Sequence, residues 1–252
     1  CLGPPSFALP AFLGIVLLLL PIGVRAQVVD PREGRAESPE QSEGISQFVY
    51  DHELAPRVQA VRTNIAIDLN GRLDEAVWAE TPPVTVFIQE DPAEGELGTQ
   101  NTEFRVVYDD GAIYIGAMLF ETHPITTRLA RRDPGRGDFD FIMVSLDSFH
   151  DHETVYRFNV NPSGTRNDAV SAGGGGGGRG DSSWDPVWDV ATEVTDVGWS
   201  AEMRIPFSQL RFRPDEEQVW GIELKRNIHR NQEQVAFPFI PTLERGGASR
   251  FA

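Results

Sequence analysis

The sequence is almost without cysteine. Cys1 is the single cysteine among 252 residues, and it precedes a long apolar segment. The rest of the chain therefore offers no thiol for a disulfide, a thiolate metal site or a cysteine nucleophile. A domain of this composition must be stabilised by its hydrophobic core, and about 200 residues are enough to form one.

Basic residues are also scarce relative to acidic ones. The chain has 22 Lys and Arg against 38 Asp and Glu, a formal net charge of −16. A surface of that sign repels phosphate backbones and anionic lipid headgroups, which excludes nucleic acid as a partner class. The acidic surplus does supply carboxylates of the kind that calcium binds.

Long apolar runs are missing except near the N-terminus. Residues 8–22 are almost wholly apolar, but about 15 residues are too few to cross roughly 30 Å of hydrocarbon as a helix. Val24-Arg25-Ala26 follows, the small-x-small pattern that signal peptidase favours. We predict a signal peptide over residues 1–26, with an uncleaved membrane anchor as the alternative. The protein is then exported to the periplasm, outer membrane or extracellular space.

The remainder divides into a polar segment and a long segment of strand-like periodicity. Residues 27–60 are rich in Glu, Ser, Pro, Gln and Arg and are predicted to form a flexible leader. Over residues 61–245, short runs carry apolar residues at every second position, as half-buried strands do. Asp110-Gly111 separates two such runs and predicts a tight hairpin, and Leu73–Glu80 alone has a helical pattern. The predicted fold is an all-β antiparallel β-sandwich with one short helical turn; a closed barrel is the alternative.

Several stretches, in order along this segment, carry a resemblance to a known family. They are Ile67–Trp78, Thr102–Gly116, Asp147–Asp151, Tyr156–Gly164, Trp184–Trp188, Gly198–Phe207, Leu210–Phe212 and Trp220–Ile222. Together they resemble the carbohydrate-binding module family 9-like domain. The resemblance implies a β-sandwich whose partner is a polysaccharide or oligosaccharide. The variant is similar to N-terminal modules of bacterial proteins that continue into a C-terminal outer-membrane β-barrel domain, and residues 246–252 resemble the start of that domain.

Tryptophans are the first candidates for sugar contacts, because an aromatic face stacks on the apolar C–H face of a pyranose. Trp199 and Trp220 are in phase with buried strand positions, and Trp78 lies on the helical turn, so these three are predicted to be core. Trp184 and Trp188 flank a loop beside the glycine run Gly173–Gly178. They are the predicted exposed platforms, with ligand stacking and core packing both left open.

Polar residues beside an apolar strand face supply the predicted hydroxyl partners. Arg157, Asn159 and Asn161 alternate with apolar neighbours in one predicted strand. This phase predicts that they point away from the core.

Calcium is the one predicted cofactor, with a structural role. The resembled family often binds calcium, and Asp140, Asp147 and Asp168 are the predicted ligands, drawn from separate loops. Solvated turns are the alternative for these aspartates. His150 and His152 could hold zinc at a strand edge, but a surface pair fits them better because no third ligand has a telling spacing.

The sequence contains no motif that argues for catalysis. No nucleophile elbow is present, and among 38 acidic residues some pair would reach glycosidase spacing by chance. The predicted function is that of a non-catalytic carbohydrate-binding module of an exported protein, linked to polysaccharide breakdown. A structural or gating module for the C-terminal β-barrel, without affinity for glycans, is the alternative, and a glycosidase is the third reading.

Overall fold

The structure is a computed structural model, and it describes residues 56–126, 139–172 and 180–241. The predicted signal peptide, residues 27–55 of the predicted leader, the run Gly173–Gly178 and residues 242–252 lie outside the described residues.

Nearly all the regular structure in the described residues is strand. In chain order the elements are β1 (Val61–Arg62), α1 (Ala76–Glu80), β2 (Ile88–Asp91), β3 (Thr102–Tyr108), β4 (Ala112–Phe120), β5 (Phe141–Asp147), β6 (Val155–Val160), β7 (Arg166–Ser171), β8 (Asp189–Thr195), β9 (Gly198–Pro206), β10 (Gly221–Ile228) and β11 (Glu233–Phe237). Two short 3₁₀ helices, Phe207–Gln209 and His229–Asn231, follow β9 and β10.

The strands form two sheets. One has five strands in the order β1-β3-β4-β9-β8, and the other has six in the order β2-β11-β10-β5-β6-β7. Every pairing is antiparallel except that of β1 with β3. The predicted antiparallel β-sandwich is therefore confirmed. The Asp110-Gly111 hairpin is confirmed too, since it joins the paired strands β3 and β4.

The core lies between the sheets and follows the period-2 alternation of the strands. Phe104, Ile115 and Trp199 come from the five-stranded sheet, while Val144 and Phe158 come from the six-stranded sheet; all five are fully buried in one cluster. Each fully buried large apolar side chain contributes roughly 1.5–3 kcal/mol of transfer free energy. This alternation also determines which side chains point outward.

The outer face of the five-stranded sheet is covered by α1 and the turn before it. Trp78 packs against Gly116 of β4, where a Cβ would come within 2.7 Å of the indole. The buried Glu202 carboxylate accepts hydrogen bonds from the Trp78 indole (3.0 Å) and the Asn70 and Gly71 amides (2.9 and 2.7 Å). Burial raises the pKa of Glu202. The Ile67–Trp78 motif therefore builds this covering layer.

The helix is shorter than the sequence pattern predicts. The predicted segment Leu73–Glu80 is helical only over Ala76–Glu80. Leu73 has a positive φ of 55°, which is incompatible with a right-handed helix, and Glu75 makes no side-chain cap. In the described part of the chain, no helix has the length and apolarity needed to traverse a membrane.

Candidate functional site

The outer face of the six-stranded sheet carries a set of polar side chains around Met143, which lies opposite both Lys225 and Asn159. They alternate with the core residues of β5, β6 and β10, and one comes from β2. We call this set the polar face; its members are Glu90, Ser145, Arg157, Asn159, Glu223 and Lys225. The strand register brings them together, because Ser145 lies directly opposite both Glu223 and Arg157.

A shared ion pair organises one half of the polar face. The Lys225 Nζ atom lies 3.0 Å from a carboxylate oxygen of Glu90 and 3.0 Å from one of Glu223. The side chains of Glu90, Glu223 and Lys225 are only 3%, 11% and 16% exposed. Ser145 donates its hydroxyl hydrogen to the second oxygen of Glu223 at 3.2 Å. The low exposure shows that surrounding groups shield these charges from water, and a hydrogen bond in such surroundings is stronger than in open water.

The other half of the polar face comes from β6. The Arg157 guanidinium donates to the Ser171 hydroxyl on β7 at 2.6 Å, and the Asn159 side-chain amide donates to the Asn167 side-chain oxygen at 3.4 Å. Arg157 and Asn159 are half-buried, while Tyr156, Phe158 and Val160 between and beyond them are core. The prediction that Arg157 and Asn159 point away from the core is confirmed. Their contact with a sugar stays a prediction.

Asn161 is placed differently from its predicted role. It is 2% exposed, and its side-chain oxygen accepts hydrogen bonds from the amides of Ser163 (3.0 Å) and Thr165 (2.9 Å). The side chain therefore closes the turn between β6 and β7, as Asn commonly does at such positions. The prediction that Asn161 meets sugar hydroxyls is wrong, because the side chain is buried and its oxygen accepts hydrogen bonds from two backbone amides.

Trp188 is not an exposed platform. It is 1% exposed, belongs to the core cluster and lies edge-on to Phe158 with ring centroids 5.2 Å apart. Its indole N–H donates to the buried Asp168 carboxylate at 2.9 Å, and the Arg166 guanidinium lies 5.5 Å from the ring centroid. The predicted exposure is wrong, because Trp188 leads directly into β8 and fills the core beside β7.

Trp184 is half-buried, and it lies on the core side of β6. Its ring contacts Tyr156 and Phe158 at centroid distances of 5.1 and 5.7 Å. Both of those side chains point inward, opposite to Arg157 and Asn159. The predicted site residues thus divide between two sides of one strand, so a single sugar ring cannot contact Trp184 and the polar face together.

The other three tryptophans were predicted to be core. Trp78 and Trp199 are fully buried, which confirms that prediction. Trp220 is only half-buried and packs with Phe207 and Phe212 at centroid distances of 6.0 and 5.4 Å. Its indole N–H donates to Gln218 at 3.0 Å. Trp220 therefore ends the core at the margin of the sandwich.

The three aspartates predicted to share calcium are separated by the sheet. Asp140 precedes β5 and Asp147 ends it, which puts them about 20 Å apart at roughly 3.3 Å per residue. Asp168 lies mid-strand, paired with Phe158. All three are buried, and each already accepts internal hydrogen bonds: Asp140 from Thr126 and His229 amides, Asp147 from the His152 amide, and Asp168 from Trp188. Grouping them as one calcium site is therefore wrong.

The structure assigns Asp140 a role in organising a loop instead. Its two oxygens accept hydrogen bonds from Thr126 and His229 at 2.7 Å each. Burial raises the pKa of Asp140. Among residues 56–126, 139–172 and 180–241, no group of three or more His, Cys, Asp or Glu side chains could hold a metal. His150 and His152 lie with ring centroids 5.2 Å apart, but within that part of the chain no third ligand completes a zinc site.

The sequence predicted only Arg157 and Asn159 among the six residues of the polar face. Glu223 and Lys225 alternate with the core residue Leu224 in β10, a signal that the sequence does contain. Glu90 carries no such signal, because β2 has four residues and its pairing with β11 is interrupted by a register shift. The contact between Glu90 and Lys225 joins residues 135 positions apart, which only the folded sheet reveals.

An antiparallel β-sandwich with a polar outer face on one sheet is an architecture shared by a class of domains rather than the mark of one protein. Among protein families, the one described as "Carbohydrate family 9 binding domain-like" matches residues 68–237. The chain belongs to this family, as its motifs predicted.

Solved structures give the same fold. A family 9 carbohydrate-binding module of Caldicellulosiruptor kristjanssonii in complex with glucose is 16% identical, with a TM-score of 0.56, and covers 78% of this chain and 93% of its own. A module from the same organism in complex with cellotriose is 18% identical, with a TM-score of 0.50, and covers 71% and 82%. A comparison with curated proteins finds no match.

Proposed function

We propose that this domain is a non-catalytic carbohydrate-binding module that contacts its glycan through the polar face. The observation that carries the proposal is the arrangement of the polar face, where Glu90 and Glu223 hold Lys225 by ion pairs, Ser145 donates to Glu223 and Arg157 donates to Ser171. Membership of the family supports the ligand class. Glucose and cellotriose occupy the two related modules named above.

The chemistry of the polar face suits sugar hydroxyls. Each hydroxyl can donate one hydrogen bond and accept others, so a face that offers the Glu223 carboxylate, an ammonium, a guanidinium and an amide can satisfy several at once. The ion pairs and hydrogen bonds hold these groups in place before ligand arrives, which lowers the entropy cost of binding. Charge-assisted hydrogen bonds are also stronger than neutral ones.

The same face argues for binding rather than hydrolysis. The shared contact with Lys225 brings Glu90 and Glu223 near the separation of roughly 5–10 Å that glycosidase carboxyls use. Catalysis, however, requires both carboxyls to reach the glycosidic bond, and the Glu90 side chain is 3% exposed. We therefore assign Glu90 to the structure of the face, where it holds Lys225, and propose that Glu223 and Lys225 meet the ligand.

The proposed setting is an exported bacterial protein, linked to polysaccharide breakdown, in the periplasm, outer membrane or extracellular space. It rests on the predicted signal peptide. A second candidate is a structural or gating module for a C-terminal outer-membrane β-barrel. One observation favours it: in the described part of the chain three tryptophans are fully buried and the other two are packed on the core, so no exposed pair of tryptophans forms a sugar slot.

Isothermal titration calorimetry of the full chain with glucose, cellotriose, xylotriose and galacturonate tests the proposal. Arg157→Ala and Asn159→Ala should each weaken saccharide binding by about tenfold, since a hydrogen bond to a charged group is worth roughly 1.5–3 kcal/mol and one to an amide somewhat less. Arg204→Ala is the matched control, because Arg204 lies on the outer face of the other sheet and contacts Tyr114 and Asp189.

The outcomes separate the two candidates. Saccharide binding that is lost in both polar-face variants and kept in the control supports the proposed module. If no saccharide gives a heat of binding and none changes the melting temperature of the protein, the structural role is favoured. Release of reducing ends from cellotriose would contradict the non-catalytic assignment.

A further inference from the structure

A cleft lies away from the polar face, at one end of the five-stranded sheet. It has a volume of about 440 Å³ and opens between Glu121–Ile125, which follow β4, and the turn that joins β8 to β9. We propose that this cleft is a second saccharide-binding site, which holds one pyranose ring of a neutral sugar. The proposal rests on the proposed function, because it takes the same ligand class.

The lining of the cleft includes both apolar and polar side chains. Pro124 and Ile125 lie on one side and Val194 of β8 on the other, and Val194 is 54% exposed toward solvent. These apolar side chains suit the C–H groups of a sugar ring, whose burial is favourable in proportion to the apolar area removed from water. The volume is within the roughly 300–1,000 Å³ typical of small-ligand sites.

The polar side of the cleft offers groups that are available for hydroxyls. Thr122 and His123 contact one another through Oγ1 and Nδ1 at 2.8 Å, which orients the imidazole ring. Asp196 lies in the turn opposite, exposed and lining the same space. A carboxylate can accept from two neighbouring sugar hydroxyls, while the imidazole Nε2 can donate or accept according to its tautomer.

Hydrogen bonds hold Glu121, one of the lining residues of the cleft, in place. The side-chain oxygens of Glu121 accept hydrogen bonds from Arg226 (2.5 Å) and Arg230 (2.7 Å). The Glu121 amide also donates to the Val197 carbonyl at 3.0 Å, which fastens one wall to the other. Two guanidinium groups more than compensate the Glu121 charge, so the exposed Asp196 is the carboxylate that a ligand in the cleft meets. Neutral sugars are therefore favoured over uronates, which Asp196 would repel.

The strand β10 separates this cleft from the polar face. Lys225 points outward to Glu90, while its neighbour Arg226 points inward to Glu121, which lines the cleft. Successive side chains of a strand point to opposite faces. One sugar ring therefore cannot occupy both places, and the two sites should bind independently.

Two-dimensional ¹H–¹⁵N NMR titrations of the full chain with glucose, cellotriose and galacturonate test the second site. We expect saturable shifts in the amides of Thr122, His123 and Ile125 and of residues 196–198, separate from those at Ser145, Arg157 and Lys225. His123→Ala and Asp196→Ala should each weaken the cleft titration about tenfold. Asp189→Ala is the control, because Asp189 lies on β8 at the end away from the cleft.

Each outcome decides the inference separately from the proposed function. Shifts at the polar face alone overturn the second site and leave the proposed module intact. Shifts in the cleft alone support the second site and overturn the polar face. Absence of saturable shifts at both places overturns both, as does a titration in which Asp189→Ala weakens cleft binding as much as Asp196→Ala. Equal affinity of the cleft for galacturonate and glucose overturns the assignment to neutral sugars.

Discussion

The hydrogen bonds of the Glu202 carboxylate hold the covering layer on the five-stranded sheet, so a substitution of Glu202 should destabilise the domain. One oxygen accepts from two backbone amides, and the other from the Trp78 indole. In Glu202→Gln the amide oxygen can keep the two backbone bonds, but the amide nitrogen then meets the indole N–H, and two donors oppose each other. The Trp78 N–H keeps its second acceptor, Glu75, at 3.1 Å, which limits the loss.

We expect Glu202→Gln to lower the free energy of unfolding at pH 7 by about 1–3 kcal/mol, the range for one lost charge-assisted bond offset by relief of a buried charge. For a domain of this size that shifts the melting temperature by roughly 2–12 °C. Urea unfolding measures the free energy directly, with Glu193→Gln as the control. Glu193 forms a largely exposed ion pair with Arg72, so its loss should cost about 0.5 kcal/mol or less.

A double-mutant cycle with Trp78→Phe isolates the contact. Phe has no N–H to oppose the amide nitrogen, so Glu202→Gln should cost less in that background than in the native chain. An equal cost in both backgrounds, or no cost at pH 7, would refute the assignment of Glu202 as the acceptor that anchors Trp78.

Three further predictions concern stability. The raised pKa of Glu202, whose ordinary value is 4.5, means that its contribution to stability is full below that value and is lost as pH rises through the folded-state pKa. The gap in unfolding free energy between the native chain and Glu202→Gln should therefore widen from pH 7 to pH 4, and a gap that narrows contradicts the raised pKa. Gly198→Ala should destabilise by roughly 3 kcal/mol or more, because Gly198 has a φ of 146° and an added Cβ would overlap the Leu119 carbonyl. Gly95→Ala, with a φ of 88° and open space around it, should cost about 1 kcal/mol in the same urea unfolding assay, and equal costs would contradict the steric argument. Calcium as a structural cofactor stays a prediction, although no group of three or more His, Cys, Asp or Glu in the described residues could hold it: chelator should lower the melting temperature and added calcium should restore it, whereas an unchanged melting temperature rejects calcium.

Most of the sandwich could be predicted because its central strands obey the period-2 rule. The strands β3, β4, β5, β6, β9 and β10 contain the predicted alternating runs. The edge strands β7 and β8 were not predicted, because an edge strand with polar residues such as Arg166–Ser171 lacks a clear apolar alternation. The short strand β11, which lies between β2 and β10, was not predicted either. Local sequence therefore specifies the centre of each sheet better than its edges.

The site was harder to predict, for reasons that individual residues illustrate. The outward direction of Arg157 and Asn159 could be predicted because successive side chains of a strand point to opposite faces of the sheet. Proximity to the glycine run suggested that Trp188 is exposed, but contacts with Phe158 and Asp168, distant in sequence, bury it. The Asn161 turn and the separation of Asp140 from Asp147 likewise depend on tertiary hydrogen bonds and strand register, which composition does not encode.

The most direct test of the polar face is a crystal structure of the protein with the oligosaccharide that binds most tightly in calorimetry. We predict a sugar ring over the outer face of the six-stranded sheet, with hydroxyls within hydrogen-bond distance of Arg157, Asn159 and the Glu223–Lys225 pair. A sugar stacked on Trp184 with the polar face empty, or no bound sugar at saturating concentration, would contradict the account.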